Sequence, residues 1–266
     1  MKKSLRLTES AIMLALAFVL SMVKVVDMPF GGSVTAFSML PIIVIAYRYR
    51  TAWGLLTGAA YAVLQMLMGL KNLTYATSAA ACAAIILLDY IAAFAVLGFG
   101  GIFRGKIKSQ SAAITAGALA ACVLRYICHV IAGCTVWAGV SIPTADGLIY
   151  SLGYNGAYMV PETLITVVGA YFAGKAFSLT EEKFRRIPME KKAATNLLAS
   201  LPVAIAVVVC FVMLFGMMQS EEGFDITLIA SADMFKWISL AVILAVGVIA
   251  SVIIRAAGGK KQDRQA

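Results

Sequence analysis

Residues 76–100 read ATSAAACAAIILLDYIAAFAVLGFG, a stretch that carries a single charge, Asp89. A helix of this length crosses ~30 Å of hydrocarbon with residues to spare. The reading is therefore a membrane span. An acid inside a span costs several kcal/mol and faces a cavity or a partner rather than lipid.

The rest of the chain follows the same pattern. Of its 266 residues 62% are hydrophobic and 13% charged, and the mean hydropathy is +0.92. Soluble domains run nearer half apolar and a quarter charged. The apolar runs are continuous rather than alternating with period two, which excludes a transmembrane β-barrel. Eight spans are expected, at roughly 8–26, 34–47, 51–70, 76–100, 111–140, 148–175, 194–219 and 234–258. The fold class is an all-α, polytopic helical membrane protein. The second span is short and carries Pro41, so a tilted or irregular segment is expected there.

Charge gives the orientation. With the N-terminus inside, 18 of the 22 Lys and Arg residues fall on cytoplasmic segments. That bias predicts both termini in the cytoplasm and an even number of spans. It also accounts for the net charge of +9 without a nucleic-acid partner. The segment 179–192, LTEEKFRRIPMEKK, divides six spans from a two-span hairpin, 194–259, which ends in the basic tail 260–266. The N-terminus resembles a signal peptide, but it has no small-residue cleavage site and a further span follows, so it reads as an uncleaved first span.

Several enzyme signatures fail. GGIFRGKI (100–107) nearly spells a phosphate loop, but Ile107 stands where Ser or Thr would hold magnesium and no strand precedes it. EEKFRR (181–186) fits the EExxxR pattern of membrane proteases, which need several histidines; this chain has one. The same count argues against a metal site. The five cysteines lie in apolar runs without CxxC spacing and read as small buried hydrophobes. No cofactor and no catalytic residue is expected.

What remains is a short set of polar residues within spans: Asp89, Arg125, His129, Asn155 and Glu162. One reading is an Asp89–Arg125 ion pair that only joins the fourth and fifth spans. The other is a pocket open to the outside, built from spans four to six. His129, Gly133 and Trp137 share a helix face by i, i+4, i+8 spacing. Tyr90 adjoins Asp89, and Tyr150 and Asn155 open the sixth span. The last two do not share a face of a straight helix, so an irregular first turn is expected there. A carboxylate among aromatics suits a flat cation, with stacking and cation–π attraction beside the countercharge.

These residues fall in stretches that resemble the thiamine-specific substrate-binding subunits (ThiT/YuaJ type) of energy-coupling-factor transporters. The stretches are LTESAIMLALA (7–17), GGSVTAFSMLPI (31–42), LLDYIAAF (87–94), HVIAG with Trp137, and YSLGYNG (150–156). The resemblance covers residues 1–178. It implies a six-helix vitamin-binding core, with the 179–193 linker and the C-terminal hairpin outside it. It implies a thiamine site of Asp89, Tyr90, His129, Gly133, Trp137, Tyr150 and Asn155, with Tyr75 added, in which Asp89 faces the thiazolium. It also implies that Ala11 and Ala15 dock on a transmembrane coupling protein that works with two ATPases in the plasma membrane. Phe30 stands in the first outer loop, where some relatives carry a tryptophan. Three other functions stay open from the residues alone. They are uptake of a thiamine precursor or another vitamin, an ion-coupled carrier using Asp89, Arg125 and Glu162, and an intramembrane hydrolase, which the histidine count disfavours.

Overall fold

The computed structural model describes residues 3–28, 32–76, 78–134, 145–189, 191–220 and 223–263. It is an all-α membrane protein; among the described residues six helices are long and apolar enough to cross a bilayer, and one shorter apolar helix is Leu40–Tyr49. The chain forms two compact units, Met1–Arg185 and Arg186–Ala266.

In the first unit, α1 (Lys3–Met22) buries a narrow face of small residues, Ser10, Ala17 and Ser21. That face meets α3 (Thr51–Met68) through hydrogen bonds: Trp53 Nε1 donates to Ser10 Oγ (2.8 Å), and Gln65 Nε2 to Ser21 Oγ (2.9 Å). Short side chains let the helices approach closely, as packing within lipid demands. The opposite face of α1 exposes Ile12, Leu16 and Val19. Such an apolar exterior suits lipid rather than water.

The expected first span ends early. After Met22 the chain forms strand β1 (Lys24–Asp27), which pairs antiparallel with β2 (Ser33–Thr35). Residues 24–26 and 34–35 are therefore a hairpin, not the ends of spans one and two. Lys24-Val-Val-Asp27 is rich in β-branched residues and is followed by a Pro/Gly cluster, a strand-and-turn signal that the surrounding hydrophobicity masks. The second span shortens to α2 (Leu40–Tyr49), with Pro41 in its first turn, where the missing N–H costs nothing.

A 3-10 helix, Leu70–Tyr75, leads into α4 (Ala79–Gly101). The middle of α4, Ile85–Ala92, is wound as a π-helix and holds Asp89 and Tyr90. Gly98 lets α4 touch α3: a Cβ there would lie 2.2 Å from the backbone nitrogen of Leu55. Then follow α5 (Gln110–Ala132) and α6 (Ala145–Ala176), the latter with Pro161 inside it.

The end of this unit opposite the hairpin is tied by Arg48, which is 1% exposed. Its guanidinium bonds Glu9 through two nitrogens and donates to the carbonyls of Leu179, Glu181 and Glu182 (2.7–3.1 Å). Arg104, from the would-be phosphate loop, donates to the carbonyls of Tyr47 and Arg48. It caps the C-terminus of α2.

In the second unit, α7 (Lys191–Met217) packs on α8 (Met234–Asp263) around Cys210, Met217 and Leu240. A Cβ on Gly247 would lie 2.6 Å from that of Ala206, so this pair also meets through small residues. All five cysteines are free thiols.

Candidate functional site

The first unit encloses a cavity of about 740 Å³ between the β1–β2 hairpin, α3, the 3-10 helix and α4 to α6. The volume lies within the usual range for small-molecule sites. Exposed Lys24, Lys71 and Tyr150 mark its solvent side. Glu162 lies twelve residues beyond Tyr150 on α6, ~18 Å deeper at 1.5 Å per residue.

A buried chain of polar groups crosses the floor. Arg125 NH1 donates to Glu162 Oε2 (3.3 Å), and Arg125 Nε to His129 Nε2 (3.3 Å). A guanidinium has no acceptor, so Nε2 of the imidazole must receive, and the ring proton sits on Nδ1. Nδ1 then donates to Asp89 Oδ1 at 2.9 Å. Thr35 of the hairpin donates to Glu162 Oε1 (2.5 Å). The network thus links α4, α5, α6 and the hairpin. Arg125, His129 and Glu162 are 7%, 8% and 2% exposed. Groups so buried keep their positions only when hydrogen-bonded.

Of the two readings left open, the Asp89–Arg125 ion pair is not among the pairs seen in the described residues. Arg125 takes Glu162 and His129, and His129 stands between it and Asp89. One turn of α5 separates Arg125 from His129, so the imidazole reaches α4 first. Arg125 also lines the cavity, with its guanidinium 4.4 Å from the Phe94 ring centre.

Aromatic groups form one wall. Tyr150, Tyr154 and Tyr158 follow each other at helical spacing on α6, with ring centres 6.0 and 6.2 Å apart, and Tyr158 lies edge-on to His129 at 5.9 Å. Across the cavity the Tyr90 hydroxyl donates to the Gly69 carbonyl (3.0 Å) and accepts from Asn72 Nδ2 (3.1 Å). Among the described residues, the buried Asn72 Oδ1 has no hydrogen-bond partner.

Asn155 donates to the Ser151 carbonyl (2.9 Å), Ser151 Oγ (3.1 Å) and the His129 carbonyl (3.3 Å), and accepts from the Tyr158 hydroxyl (2.7 Å). Tyr150 and Asn155 both line the cavity from one continuous helix, so no irregular first turn is needed. The space is wide enough to meet two flanks of α6.

The structure therefore brings together Asp89, Tyr90, His129, Gly133, Tyr150 and Asn155. Trp137 lies outside the described residues. Tyr75 closes the 3-10 helix, and its side chain also lies outside the description. At Gly133 a Cβ would lie 2.2 Å from Ser151 Oγ, so its bareness also serves the approach of α6. Ala11 and Ala15 are exposed on α1, away from the cavity lining.

Sequence reasoning missed Thr35, Gln65, Asn72, Ser151, Tyr154 and Tyr158. The i, i+4 series Tyr150–Tyr154–Tyr158–Glu162 was the available signal for α6; nothing local marks the others.

Residues 7–180 match the family described as thiamine transporter protein (Thia_YuaJ). The chain is also 35% identical over 178 residues to the thiamine transporter ThiT of Bacillus subtilis (strain 168), an alignment covering 63% of this chain and 88% of that protein.

Proposed function

The chain belongs to the thiamine transporter family, and from that premise we propose that it is the thiamine-binding membrane subunit of an energy-coupling-factor transporter. It is a membrane transport protein, not an enzyme. The carrying observation is Asp89, held by His129 at 2.9 Å inside an aromatic-walled cavity of about 740 Å³. A carboxylate among rings suits the thiazolium cation, and polar groups such as Asn72 suit the aminopyrimidine. The ligand site comprises Asp89, Tyr90, His129, Gly133, Tyr150 and Asn155, with Trp137 and Tyr75 added from the family resemblance.

In this reading the protein sits in the plasma membrane with both termini in the cytoplasm, and the hairpin side faces out. Ala11 and Ala15 on the exposed face of α1 dock on a coupling protein, and two ATPases supply the energy. Residues 1–178 form the vitamin-binding core.

The test is equilibrium binding of thiamine to the purified protein. Tight binding that Asp89→Asn and His129→Ala both weaken is expected; unchanged affinity in both variants refutes the site. Competition with the bare pyrimidine moiety separates thiamine from a precursor. Uptake by proteoliposomes that lack the coupling protein and ATPases would refute the energy-coupled assignment in favour of an ion-coupled carrier.

A further inference from the structure

We infer that Glu162 sets the charge selectivity of the cavity: by holding Arg125, it lets the floor accept a cationic ring in preference to a neutral one. The inference rests on the thiamine-binding reading and assigns a selectivity role to a residue that need not touch the ligand.

The argument is one of charge placement. The buried network holds two carboxylates, Asp89 and Glu162, and one guanidinium, Arg125. His129 adds no charge, because it accepts from Arg125 on Nε2 and donates to Asp89 from Nδ1. The other charged groups on the lining are exposed: Lys24 and Asp27 neutralise each other at 2.9 Å, and Lys71 lies at the solvent side. Of these three charged groups two are negative and one positive, so a monocation suits the set.

Arg125 is the group that threatens this balance. Its Nε lies 3.3 Å from an imidazole whose other nitrogen lies 2.9 Å from Asp89. A guanidinium one ring's width from Asp89 would oppose a cation bound there. Glu162 offsets that charge, and its own position is fixed from the far side. Oε2 receives Arg125, while Oε1 receives the Thr35 hydroxyl at 2.5 Å with Ser38 Oγ at 3.4 Å. Changing Glu162 to Gln keeps the shape and removes the countercharge. In a partly desolvated site the resulting repulsion is worth roughly tenfold or more in the affinity of a monocation. A neutral ring of the same shape should be nearly indifferent.

The experiment measures binding of two probes to the full chain in detergent: thiamine, and an analogue with an uncharged thiophene in place of the thiazolium. The wild type should prefer thiamine. Glu162→Gln should lose roughly tenfold or more for thiamine and less than about threefold for the analogue. Adding Arg125→Gln to that variant should restore most of the preference. If Glu162→Gln does not fold, Arg125→Gln alone carries the test, because it should widen the preference for thiamine. Equal losses for both probes in Glu162→Gln would mean a purely structural role and overturn the inference. So would a preference that Glu162→Gln leaves undiminished, or one that narrows in Arg125→Gln. A wild type that does not bind thiamine would overturn the functional reading itself, and the inference with it.

Discussion

Adding one methyl group at Gly133 should loosen the cavity through the contact between α5 and α6. An ideal Cβ at this position lies 2.2 Å from Ser151 Oγ, 3.1 Å from Ser151 Cβ and 3.1 Å from Asn155 Nδ2. Ser151 cannot swing away without loss, since it is 2% exposed and its hydroxyl donates to the Val130 carbonyl at 2.9 Å. Either that bond breaks or α5 and α6 separate. Overpacking of this kind costs about 1–3 kcal/mol, and a displaced buried hydrogen bond adds about 1. For a chain of this size the melting temperature should fall by roughly 4–12 °C. Asn155 leans on the same hydroxyl at 3.1 Å, so thiamine affinity should drop about fivefold, the equivalent of one hydrogen bond. Gly133→Ala, Ser151→Ala and the double variant, each followed by thermal unfolding and ligand titration, form a cycle. The coupling should be at least ~1 kcal/mol, because Ser151→Ala removes the atom the methyl strikes. Additive effects, or a Gly133→Ala protein that melts and binds like the wild type, would refute this reasoning.

Gly32→Ala should act on the hairpin: its Cβ would lie 2.5 Å from the Tyr158 ring, which is itself pinned by Asn155. Faster ligand release and a Kd raised roughly three- to tenfold are expected in stopped-flow measurements. Arg48→Met leaves three carbonyls without their donor and Glu9 with the Tyr49 hydroxyl in place of its guanidinium partner, so thermal or denaturant unfolding should show a loss of about 3–5 kcal/mol. The affinity of the folded fraction should not change. A chain ending after Arg185 should bind thiamine as the full chain does, because every residue lining the cavity lies in the first compact unit.

The all-α membrane class was legible because hydrocarbon imposes one dominant constraint on composition. The cavity-lining polar residues of α4 to α6 were legible for the related reason that Asp89, His129 and Asn155 are expensive anywhere else in a span. The hairpin was hidden by the same hydrophobicity: Val25, Val26 and Val34 fit a span and a strand equally well. Pairing among the charges was not legible either. Arg125 could reach carboxylates on two neighbouring helices, and only the three-dimensional placement of His129 decides between them. The contact of Gly133 with Ser151 was not legible, since spacing along one helix says nothing about how near the next helix comes.

The π-wound middle of α4 has a consequence for how this span tolerates length changes. A π-turn accommodates one residue more than the α-helical ladder needs. Residues on either side of 85–92 are therefore out of rotational phase by about one residue's angle, ~100°. Deleting a single residue there would let the ladder close as a regular α-helix, and the span would still insert. Asp89 and Tyr90 would then face new neighbours while the packing around Gly98 stayed as it is. In most spans a deletion is a folding lesion; in this one it should turn the site away from its ligand and leave the protein in the membrane.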